Sequence, residues 1–170
     1  MGRDLRQGLT LSLTVLMAVQ GAVRSAEAAP AVKPHVVLVV PFDATAAGPD
    51  WSWTGQGVAE VLRLGLRQHQ AFVQIDPARL KAFGQPEAWG ESAVAQAARS
   101  LRADAALFGA VVRTGSDLTV QARLLEVKSA GGDALGLEPL TIPADELLAR
   151  LPGLVIAYAR TMKVALTEAE

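Results

Sequence analysis

The side chains that could do acid–base, nucleophilic or metal chemistry are few in this chain, and they are scattered. There are two histidines and no cysteine. His35 opens an apolar run, and His69 closes a helical pattern, where a cation suits the negative end of the helix dipole. Neither shares a spacing with a carboxylate that would hold a metal, so both are expected to cap or to lie on the surface. Asp43 is the one carboxylate in an informative place. It directly follows His35 to Phe42, HVVLVVPF, and open α/β sheets bind ligands beyond the carboxyl ends of their strands. The competing reading is an aspartate that caps its own loop. Thr54-Gly55-Gln56-Gly57 lacks the Lys-Ser/Thr of a phosphate loop and the third glycine of a dinucleotide fingerprint. No serine occupies a G-x-S-x-G elbow. With no nucleophile–base pair, metal set or cofactor motif, the expectation is a protein that is not an enzyme, with no catalytic residue, metal or cofactor.

Three tryptophans form a different kind of candidate. Trp51, Trp53 and Trp89 all fall in expected loops beside Pro and Gly, outside any periodic apolar face. Tryptophan buries a large area and is favoured at binding hot spots. The candidate binding residues are therefore Asp43, Asp50, Trp51, Trp53 and Trp89. The alternative for each tryptophan is that it folds back over a helix.

The elements that would position them follow from periodicity. Asp104 to Val127, DAALFGAVVRTGSDLTVQARLLEV, predicts a hairpin with Thr114-Gly115-Ser116-Asp117 as its connection. Ala106, Phe108, Ala110 and Val112 alternate on the first arm, and Leu118, Val120, Ala122 and Leu124 on the second. These two sets are expected to share one buried face, with Thr119, Gln121 and Arg123 facing water. His35 to Phe42 is apolar on both faces and predicts a central strand. Asp43 to Gly55 is a loop ending at Thr54, the expected N-cap of a helix over Gln56 to Gln70. Gly65 in that helix is expected to mark close packing on the sheet. Ala71 to Ile75 reads as a short strand, and Asp76-Pro77 as the cap and first residue of a brief helix ending at Gly84. A loop carrying Trp89 leads to a helix over Glu91 to Leu101. After the hairpin come a turn at Gly131-Gly132 and a weaker strand over Ala134 to Ile142, which Pro139 assigns to a sheet edge. Ala144 to Leu166 is helical, divided at Pro152-Gly153.

The amino-terminal stretch belongs to none of this. Arg3 and Arg6 precede the apolar run Leu9 to Val19 and the small-residue site Ala26-Glu27-Ala28, the three parts of a secretory signal peptide. The run is about half the ~20 residues that span a bilayer as a helix. Residues 1–28 are thus expected to be cleaved, with retention as a membrane anchor the alternative. Residues 29–34 read as a linker and 35–168 as a single domain. Removal of Arg3, Arg6, Arg24, Asp4 and Glu27 moves the formal net charge from −1 to −2. No basic excess remains to neutralise phosphates, which argues against a nucleic-acid partner. No other apolar run is long enough to span a membrane. An exported chain without cysteine relies on its core for stability and has no thiol for a lipid anchor.

Together these stretches resemble the TolB amino-terminal-like domain family. The resemblance rests on V-V-L-V-V-P-F-D, a tryptophan-containing loop, and G-x-x-E-x-L-x-x-x-L at Gly57, Glu60, Leu62 and Leu66. The hairpin, with its D-x-x-(hydrophobic)-x-G opening, and the turn at Ala130-Gly131-Gly132 match as well, so the likeness runs from Val36 to Leu166. It implies an α/β domain with a mixed β-sheet, here of about five strands, and flanking helices. Relatives in this group include FlgO-like proteins and lipoprotein activators of penicillin-binding proteins, non-catalytic modules that bind other envelope proteins. Two departures stand out: no β-propeller follows, and there is no lipobox cysteine.

The expected function is that of a soluble periplasmic interaction domain, an accessory or scaffold in a bacterial cell-envelope complex, whose partners are envelope proteins. The rivals are a small-ligand-binding or hydrolytic domain using a cleft near Asp43 and the Trp51–Trp53 loop, and a purely structural subunit. Export is directly testable. The mature protein should begin at Ala29, and its intact mass or amino-terminal sequence checks this; an uncleaved, membrane-extracted form would be the contrary result.

Overall fold

The computed structural model describes residues 33–84, 89–127 and 134–164. The expected signal segment, most of the linker and the Gly131-Gly132 turn lie outside these residues. The described chain builds a six-stranded sheet. β1 (His35–Val39) runs parallel to both β2 (Phe72–Gln74) and β3 (Ala105–Thr114). β3 turns back into antiparallel β4 (Asp117–Glu126). β5 (Leu135–Gly136) and β6 (Leu140–Pro143) both pair antiparallel with the outer side of β4, so the strand order is β2-β1-β3-β4-β5 with β6 also on β4. The sheet is mixed, as expected. The anticipated fifth strand is divided, with Leu137 to Pro139 in the gap. Proline cannot donate to the ladder, and a broken edge offers less template for unwanted pairing.

Parallel strands need crossovers, and here each crossover carries a helix. α1 (Thr54–Arg67) joins β1 to β2, and α2 (Glu91–Ser100) joins β2 to β3. The two helices cover opposite faces. Val58, Ala59, Leu62 and Leu66 of α1 pack with Val37 and Val39 of β1. Val94, Ala97 and Ala98 of α2 pack with Leu38 and Val40. Val36 to Val40 is apolar at every position for this reason. After β6 come α3 (Leu147–Arg150) and α4 (Pro152–Thr161), which add a second helical layer on the α1 side. Pro152 stands at the first position of α4, where its missing N–H is no loss, and the chain divides there as the sequence predicts.

Three local expectations are corrected. The first concerns the hairpin faces. Thr114 pairs with Asp117, so the loop is Gly115-Ser116. Of these two only Gly115 has positive φ, 64°, the pattern of a turn with glycine at its first central position. A loop of even length opposes odd positions of β3 to even positions of β4, giving Leu107↔Leu124, Gly109↔Ala122 and Val111↔Val120. The buried face of β4 therefore continues through Leu107 and Val111. Ala106 and Phe108 lie on the other face, beneath α2. The second concerns Gly65: a Cβ there would stand 2.7 Å from Cγ2 of Val155, so it admits α4, not the sheet. The third concerns Thr54, which is the first helical residue; Trp53 holds the cap position without a side-chain cap bond.

Two predictions arise from this core. Phe108→Ala should cost about 3–5 kcal/mol and Leu124→Ala about 2–5 kcal/mol, against about half a kcal/mol for exposed Gln121→Ala. Because Phe108 and Leu124 belong to separate clusters, the double variant should be additive within about 0.5 kcal/mol in urea titrations. Strong coupling would instead place both on one face. The second prediction concerns Tyr158, which is fully buried with a hydroxyl that makes no hydrogen bond among the described residues. Burial first, then the charges of Asp104 and Glu126, pushes its phenol well above the ordinary value. The folded protein keeps the proton that the unfolded chain releases near pH ~10. This contribution to stability is therefore complete below that pH and declines above it by up to about 1.4 kcal/mol per pH unit. Tyr158→Phe should remove that alkaline loss and cost little or nothing at neutral pH. Denaturant titrations of both proteins between pH 8 and 11 check it.

Candidate functional site

The site is set by an irregularity at the end of β1. Val39 pairs with Leu107 and Asp43 bridges to Ala110, so four steps along one chain meet three along the other. The extra residue is a bulge at Pro41-Phe42. Its effect is visible in the faces: Val40 belongs to the α2 side, whereas Phe42 turns to the α1 side. Proline suits the place because it has no N–H to give to the ladder. The N–H of Phe42 leaves the sheet altogether and donates to the carbonyl of Gly55 at 3.1 Å, while Asp43 N–H returns to Gly109 at 2.9 Å. Gly55 is obligatory here, since a Cβ would fall 2.0 Å from the oxygen of Phe42.

Beyond the bulge Asp43 faces a cleft of about 960 Å³, near the upper end of the size range of small-molecule sites. One wall is the segment after β1, with Pro41, Asp43, Thr45 and Pro49; the other is the segment after β2, with Asp76, Pro77 and Lys81. The cleft thus opens at the carboxyl ends of adjacent parallel strands, between chains leading to helices on opposite faces. Trp89 also borders it. The Asp43 carboxylate accepts from Thr45 N at 2.8 Å and from Thr45 Oγ1 at 2.6 Å. These two bonds hold its proton affinity below the ordinary aspartate value, against a smaller opposing effect of burial. Asp76 accepts from Ala78 N at 2.8 Å and caps the 3₁₀ helix Pro77–Phe83, the role expected from its sequence.

Arg63, which sequence reasoning overlooked, also reaches this cleft. It is only 4% exposed. Its NH1 donates to Glu60 at 2.7 Å and its NH2 to the carbonyl of Val39 at 3.1 Å, and its own carbonyl accepts from Gln74. Its Nε is buried and makes no hydrogen bond among the described residues. A signal was present: Ala59, Leu62, Arg63 and Leu66 follow the i, i+3, i+4, i+7 spacing, so an arginine stands in the apolar stripe.

The tryptophans do not form one group. Trp89 packs on the α2 side of the sheet and Trp51 on the α1 side. Trp51 and Trp53 stack with centroids 6.1 Å apart and planes at 29°. Arg113, at the end of β3, places its guanidinium 5.2 Å from the Trp51 ring, and its Nε donates to Gly115 at 2.9 Å. Arg113 was legible only through the hairpin register. Trp51 is half-buried, whereas Trp53 is 51% exposed, with its ring laid over Gly57. Thr54 Oγ1 donates to the carbonyl of Trp51 at 2.6 Å and fixes the segment between them. Asp50 is exposed in the 3₁₀ turn Pro49–Trp51. His69 is outside the cleft lining, and among the described residues no three His, Asp or Glu side chains gather to hold a metal.

The fold is that of the TolB amino-terminal-like α/β domains. TolB from Acinetobacter baumannii superposes with a TM-score of 0.54 at 14% identity, covering 76% of this chain and 28% of that one. Lipoprotein GNA1162 from Neisseria meningitidis gives 0.50 at 19% identity, covering 79% of this chain and 100% of that one. The LpoB C-terminal domain from Salmonella enterica is similar at 0.49 and 17% identity, over 64% of this chain and 82% of that one. The chain thus spans little more than a quarter of the length of TolB. At these identities the likeness is one of fold. No protein-family model and no curated protein sequence matches the chain.

Proposed function

We propose that this chain is an exported, non-catalytic interaction domain, an accessory or scaffold in a bacterial cell-envelope complex, and that the face carrying Trp53 contacts its protein partner. In this reading residues 1–28 direct export to the periplasm, 29–34 form a linker and 35–168 the binding domain. The observation that carries it is the state of Trp53: a large ring, 51% exposed, stacked on Trp51 and laid over Gly57. An aromatic held in one place loses little conformational freedom on binding, which is how hot-spot residues contribute. The shared fold with TolB and lipoprotein GNA1162 supports an envelope setting. A carboxyl kept ionised by two bonds from Thr45 is a poor proton donor, so Asp43 does not suit the role of a general acid. No helix among the described residues is long and apolar enough to cross a membrane, which suits a domain that works outside one.

The two stacked rings should respond differently to substitution. Trp53→Ala should leave the thermal midpoint nearly unchanged and weaken partner capture by roughly thirtyfold, the equivalent of about 2 kcal/mol. Trp51→Ala should lower the midpoint as well, since that ring packs against the core. A photo-crosslinking residue introduced at Asp50, exposed and outside the cleft lining, supplies the partner in living cells, and affinity and melting are then measured on the same variants. Unaltered affinity for Trp53→Ala would sink the assignment of this face.

A further inference from the structure

The cleft at the ends of β1 and β2 adjoins the tryptophan loop at Ser52 but is not lined by the rings of Trp51 and Trp53, and its chemistry is of another kind. It presents both signs of charge: Asp43 and Asp76 on one hand, Arg63 and Lys81 on the other. We propose that it binds a ligand carrying an ammonium and a carboxylate together with an apolar side chain, the chemistry of an amino acid or of a short peptide with free ends.

Each aspartate uses Oδ1 to fix its own loop. An ionised carboxylate accepts through both oxygens, so Oδ2 of each remains for an ammonium. Asp43 is held as the anion by Thr45, so this negative charge persists at neutral pH. For the carboxylate there is the exposed Lys81; Arg63 also lines the cleft, with NH1 and NH2 engaged by Glu60 and Val39. The apolar part of the ligand would lie against Leu80 and Trp89, which also border the cleft. Pro41, Pro49 and Pro77 stiffen both walls, so little ordering has to accompany binding. With two aspartates and Lys81 in one opening, a purely anionic or purely cationic ligand would meet repulsion as well as attraction.

The test is a titration of the full exported chain, followed by heteronuclear NMR, with the tripeptide Ala-Phe-Ala in free, N-acetylated and C-amidated forms and with free phenylalanine. Saturable shifts at Thr45, Ala78 and Trp89 are expected for the free tripeptide, and each blocked form should bind about tenfold or more weakly. Tighter binding of phenylalanine than of the tripeptide would identify a free amino acid, and the reverse a peptide. Asp43→Asn combined with Asp76→Asn, which retains side chains able to cap, should abolish the discrimination against N-acetylation. Lys81→Gln, an exposed change, should weaken discrimination against amidation. Absence of saturable shifts up to about 10 mM, or equal binding of free and blocked forms, would overturn the proposal. Trp53→Ala should leave these titrations unaltered, so failure here and failure of the tryptophan face remain distinguishable.

Discussion

The whole arrangement depends on burying one strand pair, β1 and β3, on both faces. Val37 and Val39 point one way and Leu38 and Val40 the other, and β3 repeats this with Leu107 and Val111 against Ala106 and Phe108. A strand apolar on both sides gains stability only if each side is covered, at about 25 cal/mol for each Å² of apolar surface removed from water. The parallel crossovers provide the cover, because each must return over a face of the sheet and does so on a helix. α1 takes one face and α2 the other, and α4 closes over α1 through the close approach of Gly65 and Val155. Both candidate sites lie where this double cover ends.

Their common origin is the bulge at Pro41-Phe42. Without the extra residue, Phe42 would remain on the α2 face, and Asp43 would meet β3 in the register of β1. With it, Phe42 joins the α1 core and its N–H reaches Gly55, which ties the start of α1 to the end of β1. Arg63 makes a second tie three residues earlier, through the Val39 carbonyl. A guanidinium buried on a helix face is expensive to desolvate and is tolerated because two elements engage it: Glu60 of α1 and Val39 of β1. The bulge and the arginine together fix the start of the segment that forms one wall of the cleft.

Most of the architecture was legible in the sequence, and the parts that were not share a cause. Two-sided burial of β1, the division at Pro152 and the Asp76 cap each arise from local chemistry and could be read directly. The assignment of Phe108 to the face of Leu124 could not be corrected from alternation, since β3 is apolar on both faces and offers two equally good sets. Loop length decides between them, and a loop of even length reverses the choice. The same holds for Gly65, whose small size announced a close neighbour without saying which. At the sites, Asp43 could be placed from its position after a strand, and its self-capping alternative is also present, in the bonds from Thr45. The three tryptophans looked alike because each stands in a loop, but the sheet lies between Trp89 and the other two. Arg63 stands in the apolar stripe of α1, and that spacing was the one sign in the sequence that it points inward.

The cleft and the tryptophan face share one covalent segment, from Asp43 to Thr54, which raises the question of whether occupying one would alter the other. Coupling between sites requires an element with two arrangements that the ligands favour unequally. This segment is fastened at close intervals: Asp43 to Gly109 and Thr45, Phe42 to Gly55, Thr54 to Trp51, and Trp51 N–H to Gly48 at 3.0 Å. Arg113 then closes over the Trp51 ring from the hairpin. Giving up the part-buried bond from Thr54 to Trp51, or the tie from Phe42 to Gly55, would leave a polar group without its partner, so a second arrangement would lie higher in free energy. The physical expectation is two sites that share a scaffold and act independently, with the loop serving as a rigid wall between them.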